Sequence, residues 1–314
     1  MLNRRKALKT MALGAIGASA GTWLHAAQSS SNRTLRVGAP FSFPATDPVA
    51  WAKKARELRN GAVYVPNMSL DDKDYIRAIV AAVKENGLIF AEVGRWGVNL
   101  LEADPKIRAK NINYVTEGLA LAEELGARCC VTLSGSYAEG WSDPHPKNVS
   151  EESYEATIEN ARKIIDAVKP KRTRFCFEMM GWTIPDSPDS NLRLMKAIDR
   201  EAFGIHVDIC NLINSPDKFW NNTQLINEVF DKLGPWIVGA HAKDLRWLRS
   251  ANIHFDECVI GEGAIDYATY LKRLVALNQD APLMIEHMKN AEEYERSRQK
   301  IFGVGKNEGI KFQV

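Results

Sequence analysis

Residues 203–211 read Phe-Gly-Ile-His-Val-Asp-Ile-Cys-Asn. A short apolar run with β-branched residues is the composition of a buried strand, yet this one contains a carboxylate. Side chains alternate along a strand, so His206 and Asp208 share a face. An ionised carboxylate buried there must meet a cation or another charge, because leaving it unpaired is prohibitive. Three further runs repeat the anomaly: Glu178 in FCFEMM, His241 in IVGAHAKD and Glu286 in APLMIEHM. One such residue is commonplace, but four in series ask for one explanation.

Working outward from residues 203–211, short apolar runs alternate with amphipathic segments. Upstream lie LRVGAPF (35–41), GAVYVPN (61–67), LIFAEVG (88–94) and CCVTLSG (129–135). Between them the spacing predicts helices near 48–59, around the stripe Ile76, Ile79, Val80 and Val83, and over 104–126, where Gly126 suits the stop. Ser150 can cap a helix striped by Tyr154, Ile158, Ala161, Ile165 and Val168, which Pro170 ends. Further helices are expected after Ser187-Pro188, over 223–233, over 267–277 and from Asn290. Near-continuous apolar strands covered by helices describe a parallel α/β sheet. Eight strand–helix units in one chain predict a single-domain (β/α)8 TIM barrel over 34–314. An open doubly wound sheet is the alternative, but no glycine-rich phosphate loop follows an early strand.

In such a barrel, polar residues at the C-terminal ends of strands face the mouth. Glu178, Asp208, His241 and Glu286 would then come from the fifth to eighth strands and meet at one point. Three carboxylates and one imidazole are a hard, mostly oxygen donor set for one divalent cation. Mn²⁺ leads, with Mg²⁺, Co²⁺ or Zn²⁺ as alternatives. Four separate, locally satisfied groups are the competing explanation.

These residues resemble the xylose-isomerase-like superfamily of barrels, the sugar phosphate isomerase/epimerase group that includes endonuclease IV relatives. The resemblance is strongest over 173–288 and rests on Glu178, Asp208, the His-x-Lys-Asp run at 241–244, the Gly-x-Gly-x-Ile-Asp run at 261–266, and Glu286. It implies that the four residues hold the metal and that Glu178 and Glu286 flank a carbohydrate as acid and base. One position departs from the pattern: the family's His three residues after the sixth-strand Asp is Asn211 here, which can hydrogen-bond a hydroxyl but cannot ligate through an imidazole. The expected activity is a metal-dependent sugar isomerase or epimerase that removes a proton beside a carbonyl. A lyase or hydratase on a keto-glycoside uses the same site, and a non-catalytic sugar-binding barrel is the rival of another class. His206, Asn211, Lys243, Asp244, Arg246 and Trp182 are candidate substrate contacts, and His254 and Glu257 fall in an expected loop before Gly261.

The first 27 residues are set apart from this pattern. Arg4-Arg5-Lys6 precedes Ala7, Leu8 and Lys9, then an Ala/Gly-rich stretch to about Ala27. That order is a twin-arginine export signal, too short and glycine-rich to span a membrane, with cleavage after Ala20, Ala26 or Ala27 and a linker over 28–33. The twin-arginine translocase is thus an expected partner and the periplasm the expected compartment. The formal charge of +2 includes Arg4, Arg5, Lys6 and Lys9 with no acid among them, so the remainder carries −2. Without a basic tract, neither nucleic acid nor anionic lipid is an expected partner, and no membrane insertion of the mature chain is expected. Five cysteines leave at least one thiol unpaired; Cys129, Cys130, Cys176 and Cys210 fall in expected strands as small apolar residues, and no C-x-x-C spacing marks a thiolate zinc site. A reporter fused behind residues 1–32 should reach the periplasm, and Arg4→Lys with Arg5→Lys should retain it in the cytoplasm. Equal export of the two forms, read by fractionation, would refute the twin-arginine assignment.

Overall fold

The computed structural model describes residues 34–314, so the leader and linker lie outside the described residues. The chain enters through β1 (Thr34–Gly38) and α1 (Pro48–Glu57), where Asp47 accepts from the Val49 and Ala50 amides and Pro48 needs no acceptor. β2 (Ala62–Tyr64) and α2 (Lys73–Glu85) follow, then β3 (Ile89–Gly94) and α3 (Pro105–Leu125). α3 starts on an Asp104 cap and stops at Gly126, whose φ of 66° is the left-handed C-cap conformation. Next come β4 (Cys129–Thr132), α4 (Glu151–Val168) capped by Ser150, β5 (Arg174–Phe177), and α5 (Pro188–Ile198) with a capping box of Ser187 and Ser190. β6 (Ile205–Val207) gives way at once to α6 (Ile209–Leu212), α7 (Pro216–Trp220) and α8 (Asn222–Leu233). β7 (Ile237–Ala242) continues into an antiparallel hairpin, β8 (Asp244–Trp247) and β9 (Phe255–Cys258). α9 (Tyr267–Val275), β10 (Leu283–Ile285), α10 (Ala291–Asn307) and β11 (Lys311–Gln313) complete the chain. None of these helices is long and apolar enough to cross a membrane.

The strands form two parallel sheets, β11-β1-β10-β7-β6 and β2-β3-β4-β5. The predicted ring is therefore not one unbroken ladder. At the β5/β6 seam two isolated parallel bridges, Phe175 with Phe203 and Glu178 with His206, replace it. β6 ends there because Asp208 leaves the strand to cap α6, its Oδ1 accepting from the Asn211 amide at 3.1 Å. At the other seam β11 pairs with Thr34, Leu35 and Arg36 of β1. Just before β2, the Gly61 amide donates to the Val37 carbonyl at 2.8 Å.

Helices α1–α5 pack one face of the sheet through Trp51, Ile79, Val83, Leu119, Ile164 and Leu194; α8–α10 pack the rest through Leu225, Val229, Phe230, Leu271, Leu274 and Ile301. Small residues fill the interior, Ala62 and Ala91 beside Met284, and Cys129 and Val131 beside Cys176. Three expectations are corrected. Residues 203–211 are not one strand, and Cys210 lies in α6. The segment before Gly261 is the β8–β9 hairpin, with Leu245 opposite Glu257. β11 is an additional strand that the alternation did not reveal. All five cysteines are buried and unpaired.

A Cβ on Gly61 would stand 1.9 Å from the Gln313 carbonyl oxygen, whereas one on Gly303 in α10 meets nothing within 4 Å. Gly61→Ala should therefore lower stability by ~1–3 kcal/mol, and Gly303→Ala should raise it by ~0.5–1 kcal/mol. Urea midpoints measure both; a silent Gly61→Ala would mean that the β1–β2–β11 seam is not packed as described.

Candidate functional site

Four strands deliver the anomalous residues to one place. Glu178 follows β5, Asp208 follows β6, His241 is the fifth residue of β7, and Glu286 follows β10. One donor atom from each lies within 4.8 Å of all the others. His241 Nδ1 is 2.7 Å from Glu178 Oε1, 3.1 Å from Glu286 Oε1 and 3.7 Å from Asp208 Oδ2. The main chain fixes the register: the Glu178 amide donates to the Thr132 carbonyl and the Glu286 amide to the Ala242 carbonyl. The Tyr270 hydroxyl donates to the His241 carbonyl.

Lys243, expected as a substrate contact, instead places its ammonium inside the cluster. Nζ is 2.8 Å from Asp208 Oδ2, 2.7 Å from Glu286 Oε1 and 3.9 Å from Glu178 Oε1, with the side chain 2% exposed. Although within contact distance of Lys243, Asp208 Oδ2 makes no hydrogen bond, so it is a buried oxygen with an ion-pair partner only. Burial opposes ionisation of Asp208 and Glu286, but Lys243 and His241 hold Asp208 at about 2, and His241 and Lys243 hold Glu286 well below the usual carboxylate range. For Glu178 burial wins, and its carboxyl is raised. Burial also opposes the charged forms of His241 and Lys243, but the surrounding carboxylates push both well upward.

The remaining predicted contacts divide. Asn211 reaches the cluster, but its Nδ2 donates to Glu178 Oε1 at 3.3 Å and to the Met179 carbonyl at 3.1 Å, so it steadies Glu178. His206 is fully buried and turned to Glu92. Asp244 accepts amides from Leu245, Gly261, Gly263 and Ile265, and so ties down the Gly-x-Gly-x-Ile-Asp loop. Arg246, on the hairpin, pairs with Asp256 at 3.6 Å and is half exposed. Trp182 is half-buried in the loop after β5. The indole that does approach the cluster is Trp96, its ring 6.5 Å from His241.

Two further residues belong here that the sequence reading does not include. Glu92, the fourth residue of β3 and 2% exposed, accepts from both His206 and His241. The LIFAEVG run carries the same signal as the other four, a carboxylate in an apolar strand. Tyr64 on β2 has a buried hydroxyl without a partner, and burial raises its pKa well above normal, with Glu92 and Glu286 adding to the effect and His241 opposing it.

The donor set fits a divalent cation: three carboxylates, one imidazole nitrogen turned toward two of them, and a buried Asp208 Oδ2 that makes ion-pair contacts but no hydrogen bond.

The chain belongs to the xylose isomerase-like TIM barrel family, whose pattern matches residues 55–302. It is 28% identical over 179 residues to a probable endonuclease 4 of Persephonella marina, a match that covers 54% of this chain and 59% of that protein. The chain thus spans little more than half the length of that curated relative. Among solved structures, 3-keto-D-glucoside 4-epimerase from E. coli is similar with a TM-score of 0.62 at 14% identity, over 86% of this chain and 100% of that one. Endonuclease IV from Thermus thermophilus is similar with a TM-score of 0.64 at 16% identity, over 87% and 99%.

Asp208 and Asp244 have different partners, so their variants should behave differently. Asp208→Asn keeps an acceptor for the α6 cap but loses the charge, and should abolish Mn²⁺ retention in equilibrium dialysis. Asp244→Asn cannot satisfy every amide that Asp244 accepts; it should cost ~1–3 kcal/mol of stability for the unsatisfied donors while Mn²⁺ retention stays. The reverse pattern would contradict these roles.

Proposed function

We propose that this chain is a divalent-metal-dependent isomerase or epimerase acting beside the carbonyl of a sugar or sugar derivative. The observation that carries this reading is the convergence of Glu178, Asp208, His241 and Glu286 at the strand ends of a xylose isomerase-like barrel. When bound, a divalent ion, Mn²⁺ first among the candidates, supplies Lewis-acid polarisation of a carbonyl and its neighbouring hydroxyl, which acidifies the C–H between them. The chain's own residues do the proton work. Glu178 and Glu286 are the outer members of the arc β5-β6-β7-β10, with Asp208 and His241 between them, so they reach a bound sugar from two sides. One removes the proton and the other returns it, to the same carbon in epimerisation or to the next in aldose–ketose isomerisation. Asn211 holds Glu178 in place through its amide. Trp96 offers an aromatic face beside His241. The similarity to a 3-keto-glucoside epimerase supports a carbohydrate substrate, and a keto-glycoside with a leaving group β to the carbanion would undergo elimination at the same residues. The leader adds that export is by the twin-arginine translocase and that the mature barrel, from about residue 34, works in the periplasm on sugars that are not phosphorylated.

The relationship to endonuclease 4 favours a second reading, metal-dependent hydrolysis of nucleic acid. Against it, the mouth cluster is a single-ion donor set. The other metal-capable group among the described residues, Glu92, His206 and His241, is sealed in the barrel interior. A several-ion phosphodiesterase centre needs open positions for the attacking and leaving oxygens.

Protein loaded with Mn²⁺ and incubated in D₂O with ketoses, 3-keto-glycosides and aldoses should place deuterium beside the carbonyl of one class. Glu178→Gln and Glu286→Gln should each lower that turnover by ~10²–10⁴-fold at saturating metal. Near-wild-type rates in both would remove the glutamates from proton transfer. Neither exchange nor conversion by the wild type would favour the binding barrel, and nicking of supercoiled DNA under the same conditions would favour the nuclease.

A further inference from the structure

Beneath the mouth, His241 is shared with a second layer of ionisable groups, of which Glu92 and His206 have as yet no role. Glu92 on β3, His206 on β6 and His241 on β7 are all buried to within 2% of complete. Glu92 Oε2 is 2.9 Å from His206 Nε2, and Oε1 is 3.3 Å from His241 Nε2. The two imidazoles meet edge to face with centroids 4.2 Å apart. Gly239 makes room for them, since a Cβ there would stand 3.2 Å from the His206 ring.

We propose that Glu92 is the positioning residue of the centre: by accepting from Nε2 of both histidines, it turns His241 so that Nδ1 alone is presented to Glu178, Asp208 and Glu286. Proton bookkeeping follows from the contacts. His206 Nδ1 is buried with no partner, which suits the tautomer whose proton is on Nε2, donated to Glu92, with a bare lone pair on Nδ1. His241 Nε2 lies 3.3 Å from both oxygens of the same carboxylate, and a carboxylate has no proton to give, so Nε2 must be the donor there as well. Nδ1 faces the donor oxygens at 2.7 and 3.1 Å, where a proton must lie between them and where a cation would take that proton's place. A carboxylate that hydrogen-bonds the far nitrogen of a ligating histidine fixes its ring and strengthens it as a ligand. His206 completes the arrangement: its 2.9 Å contact pins Oε2, so the carboxylate stays across Nε2 of His241.

This inference rests on the metal centre proposed above, but its tests read tautomer and metal affinity rather than turnover. In wild-type protein labelled with ¹⁵N-histidine, long-range ¹H–¹⁵N spectra should show a proton on Nε2 of both His206 and His241, hydrogen-bonded and protected from solvent. An unprotonated His241 Nε2 would overturn the proposal whether or not metal is taken up. In calorimetric titration, Glu92→Gln should bind Co²⁺ 10–100-fold more weakly than wild type with an altered visible Co²⁺ spectrum, and Glu92→Asp should recover part of the affinity. If folded Glu92→Gln binds Co²⁺ with wild-type affinity and spectrum, Glu92 is merely structural and the proposal fails. If that variant does not fold, the wild-type tautomers decide. A wild type that binds no Co²⁺ yet shows both Nε2 protons would remove the metal centre while leaving Glu92 as the residue that orients His241.

Discussion

Charge taken out of water has to be met by charge, and this barrel buries four carboxylates around a single imidazole. Glu92, Glu178, Asp208 and Glu286 all lie within hydrogen-bonding or ion-pairing reach of His241. Removing one partner from such a group leaves an uncompensated buried charge, which costs far more than the pair gains. Each residue therefore constrains the others, and the strand ends that carry them must keep register to within one residue, since a one-residue slip would turn each side chain to the opposite face. Lys243 adds an ammonium between Asp208 and Glu286, so the cluster holds its own positive charge beside the position where a divalent ion fits.

The scaffold is shaped around that constraint. β6 stops after Val207 because Asp208 must both cap α6 through Oδ1 and present Oδ2 to the cluster. The broken ladder at the β5/β6 seam follows, and it lies where two of the four site residues emerge. Asp244, next to Lys243, faces away from the cluster and gathers the amides of the loop at 261–265. Asp208 and Asp244 thus serve different purposes, one the mouth cluster and one the loop.

Much of this was legible in the sequence because buried charge is rare and strands have a period of two. The alternation of apolar runs and helical stripes led to eight strand–helix units, and ionisable residues inside apolar runs led to the four residues of the mouth cluster. What escaped depends on partners distant in the chain. Glu92 carries the same signal, but its role is defined by His206 and His241, which only the arrangement of strands brings to it. Residues 203–211 read as one strand because Asp208 keeps extended dihedrals, φ −134° and ψ 104°, while its side chain starts a helix. The hairpin at 244–258 alternates too briefly for its period to stand out, and β11 is three residues long. Trp182 and Trp96 follow strands in the same way, and only the fold brings Trp96, rather than Trp182, within ring contact of His241.

The central claim is that Glu178, Asp208, His241 and Glu286 form one cation-binding centre. Anomalous diffraction at the manganese edge, from crystals of the mature protein equilibrated with Mn²⁺, tests it most directly. One strong peak should appear about 2.0–2.2 Å from oxygens of the three carboxylates and from Nδ1 of His241, with the Lys243 ammonium displaced from its bridge. A cluster with Lys243 still seated between Asp208 and Glu286 and no anomalous signal at saturating Mn²⁺ would contradict it.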